Sequence, residues 1–137
     1  RTVWGSLSFN RTAEIEDRIR NVAEDIYLTE LLDEKAELLS HGQKQWLEIG
    51  MLLVQEPELM LLDEPVAGMS VKEREATADL LKRVSKGRSI IIIEHDMDFV
   101  ERIANRVTVL HLGKILAEGK MAEIKENDNV RKVYLGD

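Results

Sequence analysis

The spacing of apolar residues changes period along the chain, and each change marks an element. Between Thr12 and about Tyr27, the residues Ile15, Ile19, Val22, Ala23 and Ile26 recur every three or four positions among acids and arginines, which predicts an amphipathic surface helix. Leu28 to Leu39 has no sustained period and reads as short helical turns. A second helix is predicted from the polar junction at Ser40 to about Gln55. It is apolar on most sides, so it is expected to be buried, and it stops ahead of Pro57.

The period then shortens. Leu59-Met60-Leu61-Leu62 is too short an apolar run for a helix and reads as a strand buried on both faces of a parallel sheet. Asp63-Glu64-Pro65 ends it, and the loop Val66 to Ser70, containing Gly68, leads into a charged helix over 71–86. That helix has Ala76, Leu80, Leu81 and Val84 inward and Gly87 as its stop. Ser89 to Glu94, with four consecutive isoleucines, is a second strand of the same kind, and a helix from about Met97 to Ala104 follows His95-Asp96. Strand, helix, strand, helix is the signature of an α/β chain with parallel strands and flanking helices. Arg106 to Leu112 and Lys114 to Glu118 are predicted to form a hairpin through Gly113 at the sheet edge. A short helix near Met121 to Glu126 and the segment Val130 to Leu135 are expected to pack on the outside.

Composition narrows what such a fold can serve. At 137 residues and 44% hydrophobic content the chain can bury one core. A formal charge of −7 sets it against a partner made of nucleic acid. With no cysteine it has no disulfide framework, no thiolate nucleophile and no cysteine-ligated zinc, and a reducing, cytoplasmic setting is expected. The longest apolar runs, Leu59 to Leu62 and Ile90 to Ile93, are far shorter than the roughly 20 residues of a membrane-spanning helix.

Three places carry candidate chemistry. In Leu39-Ser40-His41-Gly42-Gln43, Ser40 is a good N-cap and Gly42 leaves backbone N–H groups approachable at the positive end of a helix dipole. That makes either an anion seat or an ordinary cap. Asp63 and Glu64 follow a buried strand at the rim where open α/β sheets bind ligands. Four apolar residues and then Asp-Glu suit phosphoryl transfer, the first acid holding Mg²⁺ and the second orienting and deprotonating water. The alternative is a polar strand exit. His95 holds the equivalent position after the second strand, where an imidazole could hydrogen-bond a terminal phosphate or could merely cap the helix that begins at Met97. His41 and His111 have no comparable setting and read as structural.

In series, Leu39-Ser40-His41-Gly42-Gln43, Leu61-Leu62-Asp63-Glu64-Pro65 and Ile93-Glu94-His95-Asp96 resemble the signature motif, the Walker B motif with catalytic glutamate, the D-loop start and the switch histidine of an ABC transporter ATP-binding subunit. The resemblance implies a partial P-loop NTPase-like (ABC ATPase) domain. Residues 1–41 would be the end of the helical subdomain and 42–137 the C-terminal part of the ATPase core. It further implies that Ser40, Gly42 and Gln43 meet ATP held by an opposite protomer. Asp63 would hold Mg²⁺, Glu64 and His95 would be catalytic, and Ser70 would stand in the D-loop, where many relatives carry Asp. The implied partners are a second ATPase subunit and membrane permease subunits, without nucleic acid, and the implied location is the cytoplasmic face of the cell membrane.

Within that family the chain is similar to the importer branch for branched-chain amino acids and, more closely, urea. The helix wording Gln43 to Met51, the loop Pro65-Val66-Ala67-Gly68-Met69-Ser70 and the ending Val133-Tyr134-Leu135-Gly136-Asp137 look like the urea type. No Gly-x-x-x-x-Gly-Lys-Ser/Thr occurs: Gly113-Lys114 precedes Ile115, and Gly119-Lys120 precedes Met121. The chain also opens on Arg1-Thr2-Val3-Trp4 without an initiator Met. It is therefore expected to be a C-terminal fragment that does not turn over ATP alone. Two other readings compete: an ABC ATPase outside transport, and a noncatalytic interaction domain.

Overall fold

The computed structural model describes residues 12–135; Arg1 to Arg11 and the Gly136-Asp137 end of the tail motif lie outside the described residues. Backbone packing divides the chain into two units at Ile93/Glu94.

In the first unit, α1 (Ala13–Asp25) starts where the Thr12 hydroxyl accepts the Ile15 N–H, with Glu14 and Glu16 favourably placed in its first turn. It ends in a Schellman arrangement: the Leu28 N–H reaches the Ala23 carbonyl at 2.8 Å and the Tyr27 N–H reaches that of Glu24 at 3.2 Å. Tyr27 occupies the left-handed position at φ 60°, a place usually given to glycine. Its ring accounts for the exception. Trp46 meets it edge-on at 5.3 Å between centroids, Arg83 lies 5.3 Å from its centre, and its hydroxyl donates to the Ala76 carbonyl. The expected short turns are two 3₁₀ segments, Thr29–Leu31 and Ala36–Leu38.

Helix α2 (His41–Leu53) packs on α1. Gly50 permits the approach, since a Cβ there would lie 2.5 Å from Ile26 Cδ1. The expectation that this helix is buried on most sides does not hold. Ile49, Gly50 and Leu53 are buried but Met51 is 62% exposed, because only one face has a partner among the described residues.

Strand β1 (Leu59–Asp63) pairs in parallel with β2 (Ser89–Ile93), from Leu59 opposite Ser89 to Asp63 opposite Ile93, and α3 (Val71–Val84) connects them. The βαβ unit is as predicted, but burial on both strand faces is not. Met60 and Leu62 are buried, whereas Leu61 and Ile93 are 67% and 65% exposed. Among the described residues nothing covers that second face, so the continuous apolar run behaves as an alternating one. Helix α3 buries Leu80, Leu81 and Val84 as expected and adds Ala78 and Thr77. The Thr77 hydroxyl accepts the Trp46 indole N–H at 2.8 Å and donates to the Glu73 carbonyl at 2.7 Å.

The second unit begins with α4 (Met97–Ile103), capped by Asp96, whose carboxylate accepts the Phe99 N–H at 3.0 Å. Strands β3 (Val107–His111) and β4 (Lys114–Gly119) form an antiparallel hairpin. Its two-residue loop, Leu112-Gly113, has positive φ at both positions, as a type I′ hairpin turn requires. The hairpin is a separate two-stranded sheet and not the edge of the β1/β2 sheet. A register shift between Val109 and Leu110 breaks its alternation. Helix α5 (Met121–Glu126), the turn α6 (Asp128–Val130) and a π-turn at Arg131–Leu135 close the chain against this hairpin. The tail is not simply external: Ile124 and Val130 are almost wholly buried.

Thr77→Val keeps the shape of the side chain but leaves the Trp46 indole N–H without its acceptor. Chemical denaturation of the intact protein is expected to show a loss of about 1 kcal/mol, the worth of a hydrogen bond to this part-buried donor.

Candidate functional site

Ser40 and Gln43 form a reciprocal capping box. The Gln43 N–H reaches Ser40 Oγ at 3.3 Å, and the Ser40 N–H reaches Gln43 Oε1 at 2.9 Å. The Lys44 N–H bonds the Ser40 carbonyl. The N–H groups of His41 and Gly42, in the first turn of α2, have no intrahelical carbonyl to bond, as helix geometry requires. They lie at the positive end of the helix dipole, where an anion is stabilised.

A second capping box mirrors the first at the start of α3. Glu73 Oε2 accepts the Ser70 N–H at 2.9 Å and the Ser70 hydroxyl at 2.7 Å, while Ser70 Oγ accepts the Glu73 N–H at 3.3 Å. These bonds hold the Glu73 carboxyl below its ordinary pKa, with the Ser70 hydroxyl bond the largest cause, the Ser70 N–H next and the nearby His41 charge a smaller one. The two boxes touch. A Cβ on Gly42 would lie 2.7 Å from Glu73 Cδ, so the carboxylate fills the space a side chain at 42 would need. His41 Nε2 lies 2.9 Å from the Ala67 carbonyl, and a Cβ on Gly68 would lie 3.2 Å from the same nitrogen. Gly68 has φ 70°, which adds a second reason for glycine there.

Asp63 is the last residue of β1, and Glu64 follows at φ 46°. A non-glycine residue in this region costs about 1–2 kcal/mol, and such outliers gather at functional sites. The Glu64 N–H bonds the Ile93 carbonyl at 2.9 Å, and its own carbonyl accepts the Ala67 N–H at 3.1 Å. Both acids are exposed. Among the described residues no group of three or more His, Asp or Glu is arranged to hold a metal ion. A single carboxylate is nonetheless the protein share that Mg²⁺ takes when substrate phosphates supply other ligands, and Asp63 fits that role.

Thus Ser40, Gly42, Gln43, Asp63, Glu64 and Ser70 belong to one unit, and a short series of hydrogen bonds connects their loops. His95 belongs to the second unit. Its side chain is 78% exposed, and its backbone N–H is held by Glu94 Oε2 at 2.9 Å. The cap of α4 is Asp96, so His95 is not spent on capping that helix. From the sequence Glu94 and Glu73 carry no assigned role, and His41 reads as structural. The Glu94 side chain is 2% exposed; among the described residues its Oε1 has no hydrogen-bond partner, while Oε2 also takes the Asp96 N–H. The Ser-x-x-Glu spacing of Ser70 and Glu73 was a legible capping box, but no local signal showed where the Glu73 carboxylate would lie.

Comparison with known proteins gives this geometry its class. The profile described as ABC transporter matches residues 2–67, and that of the branched-chain amino acid ATP-binding cassette transporter matches 114–137. In the solved ADP conformation of an ATP-binding cassette of an ABC transporter, 28% identical, the fold superposes with a TM-score of 0.82, covering 100% of this chain and 57% of that one. The cbiO1 structure from Clostridium perfringens, part of the cbiONQ ABC transporter complex, gives 0.80 at 32% identity, covering 96% and 54%. The chain belongs to the ABC transporter ATP-binding family.

Among particular relatives, it is 38% identical to the high-affinity branched-chain amino acid transport ATP-binding protein BraF of Pseudomonas aeruginosa, over 83% of this chain and 46% of that protein. It is 36% identical to LivG of Escherichia coli, which carries the same description, over 95% and 52%. The chain therefore spans about half the length of these relatives. Among the described residues no helix is long and apolar enough to cross a membrane.

The depressed Glu73 value has a defined pH consequence. Because the folded value lies below the unfolded one, the stabilisation is present above the ordinary glutamate pKa of about 4.3 and is lost as pH falls through the lower folded value. The stability difference between the native protein and Glu73→Gln is expected to shrink across that acid window in pH-dependent denaturation.

Proposed function

We propose that this chain forms the signature-to-switch part of the nucleotide-binding subunit of an ABC importer, which couples ATP hydrolysis to uptake of a small solute. The observation that carries the reading is the Asp63-Glu64 pair at the end of β1, with Glu64 in a left-handed backbone position tied to both Ile93 and Ala67. In this reading residues 1–41 end the helical subdomain and 42–137 are the C-terminal part of the ATPase core. Asp63 holds Mg²⁺, which neutralises charge on the phosphates. Glu64 takes the proton of the attacking water, and His95 hydrogen-bonds the terminal phosphate. Ser40, Gly42 and Gln43 meet the phosphate of an ATP seated on a second ATPase subunit, with Ser70 facing the same junction. The partners are that second subunit and membrane permease subunits at the cytoplasmic face.

The names of BraF and LivG favour a branched-chain amino acid as the solute. Urea rests on the finer wording of α2, the loop Pro65 to Ser70 and the tail alone. An ATP-binding subunit acts on the permease and not on the solute, so uptake by the assembled transporter decides between the two.

Glu64→Gln in the intact subunit keeps the side-chain shape but cannot accept the water's proton. ATP binding is expected to persist while turnover falls by about a hundredfold or more; unchanged turnover would reject Glu64 as the base.

A further inference from the structure

We propose that His41 is a positioning residue that braces the Ser40–Gln43 loop against the turn following Glu64, so that the phosphate-contacting loop and the catalytic acid move as one piece. The inference rests on the ATPase reading above and adds to it a role for the His41 side chain, which is bonded to the Ala67 carbonyl while the backbone N–H of the same residue stays with the anion seat.

Its basis is a continuous series of contacts. His41 Nε2 donates to the Ala67 carbonyl at 2.9 Å. The N–H of the same Ala67 bonds the Glu64 carbonyl at 3.1 Å, so one peptide unit on either side of Ala67 Cα is held by His41 and by Glu64. The imidazole lies against Gly68, where a Cβ would stand 3.2 Å from Nε2 and 3.3 Å from Cδ2. The positive φ of Gly68 turns the chain at that point. On the other side of His41, Gly42 abuts the Glu73 carboxylate, which is itself fixed by two hydrogen bonds from Ser70. Displacing the first turn of α2 would have to break the His41 bond and move a carboxylate already committed to the start of α3.

Loss of the donor should therefore loosen the placement of Ser40 and Gln43 relative to Glu64 without removing any group that binds ATP. A misplacement of about 1 Å can cost a reaction about a hundredfold, and loss of one brace among several contacts is expected to cost less. In the intact subunit, His41→Phe, which keeps a ring and loses the donor, should lower kcat about tenfold and leave the KM for ATP within about twofold. His41→Gln places an amide N–H at a similar reach and should restore most of the kcat. Equal kcat for native and His41→Phe would overturn the proposal, as would a His41→Gln variant no better than His41→Phe.

A second readout does not depend on turnover. In ¹⁵N NMR of the intact subunit at alkaline pH, the neutral His41 ring should be the Nε2–H tautomer, because that nitrogen faces a carbonyl. An Nδ1–H tautomer would overturn the brace whatever the ATPase result. The expected tautomer in a subunit without ATPase activity would retain the contact and discard the catalytic reading instead.

Discussion

At Glu64 the backbone is held from two directions, its N–H by the Ile93 carbonyl and its carbonyl by the Ala67 N–H. The first bond extends the β1/β2 pairing one residue past the strand, and the second closes the turn that follows. Between them the residue is confined to a positive φ that a glutamate would otherwise avoid. The rest of the site depends on this fixing. If β1 slipped relative to β2, Glu64 would lose Ile93. The turn would then no longer present the Ala67 carbonyl to His41, and the loop at the start of α2 would lose its contact with the strand end.

Capping does for the helices what pairing does for the strands. Helices α2 and α3 both start in a serine box, and the two boxes press on each other through Gly42 and Glu73. Farther along the same two helices, Trp46 and Thr77 join them through a hydrogen bond that Thr77 passes to the Glu73 carbonyl. The Tyr27 ring on Trp46 ties in the end of α1, and Arg83 completes the arrangement by bonding the Asp25 carboxylate at 3.3 Å and lying over the same ring. Most of these contacts are polar groups satisfying one another. That fixes geometry more than it adds net stability.

Much of this was legible in the residues because it depends on local period and local caps. The 3.6-residue recurrence from Ile15 to Ile26, the breaks before Pro57 and at Gly87, and the isoleucine run of β2 each specify an element without reference to the remainder of the chain. Burial was less legible. Leu61 and Ile93 look like core residues and are exposed, because burial of a second sheet face requires another layer that a strand's own residues cannot announce. The hairpin had a clear turn at Leu112-Gly113, but nothing local stated that it would form its own sheet. At the site, Asp63-Glu64 stood out by type and position. The relation of His41 to Ala67, and of Glu73 to Gly42, joins residues 26 and 31 positions apart, so spacing gave no sign of either. For that reason His41 read as merely structural.

The central claim is that the loop at Ser40 is built to meet a phosphate held by another ATPase subunit. Ser40→Asp tests it directly, since aspartate caps a helix as well as serine does but places a negative charge against the phosphate. The measurement is ATP-dependent association, by sedimentation, of the intact subunit carrying Glu64→Gln with its second ATPase subunit, compared with and without Ser40→Asp. The account predicts association in ATP for Glu64→Gln alone and its loss when Ser40→Asp is added, with the folded state and ATP binding by the single subunit retained. Undiminished association in the double variant would contradict it.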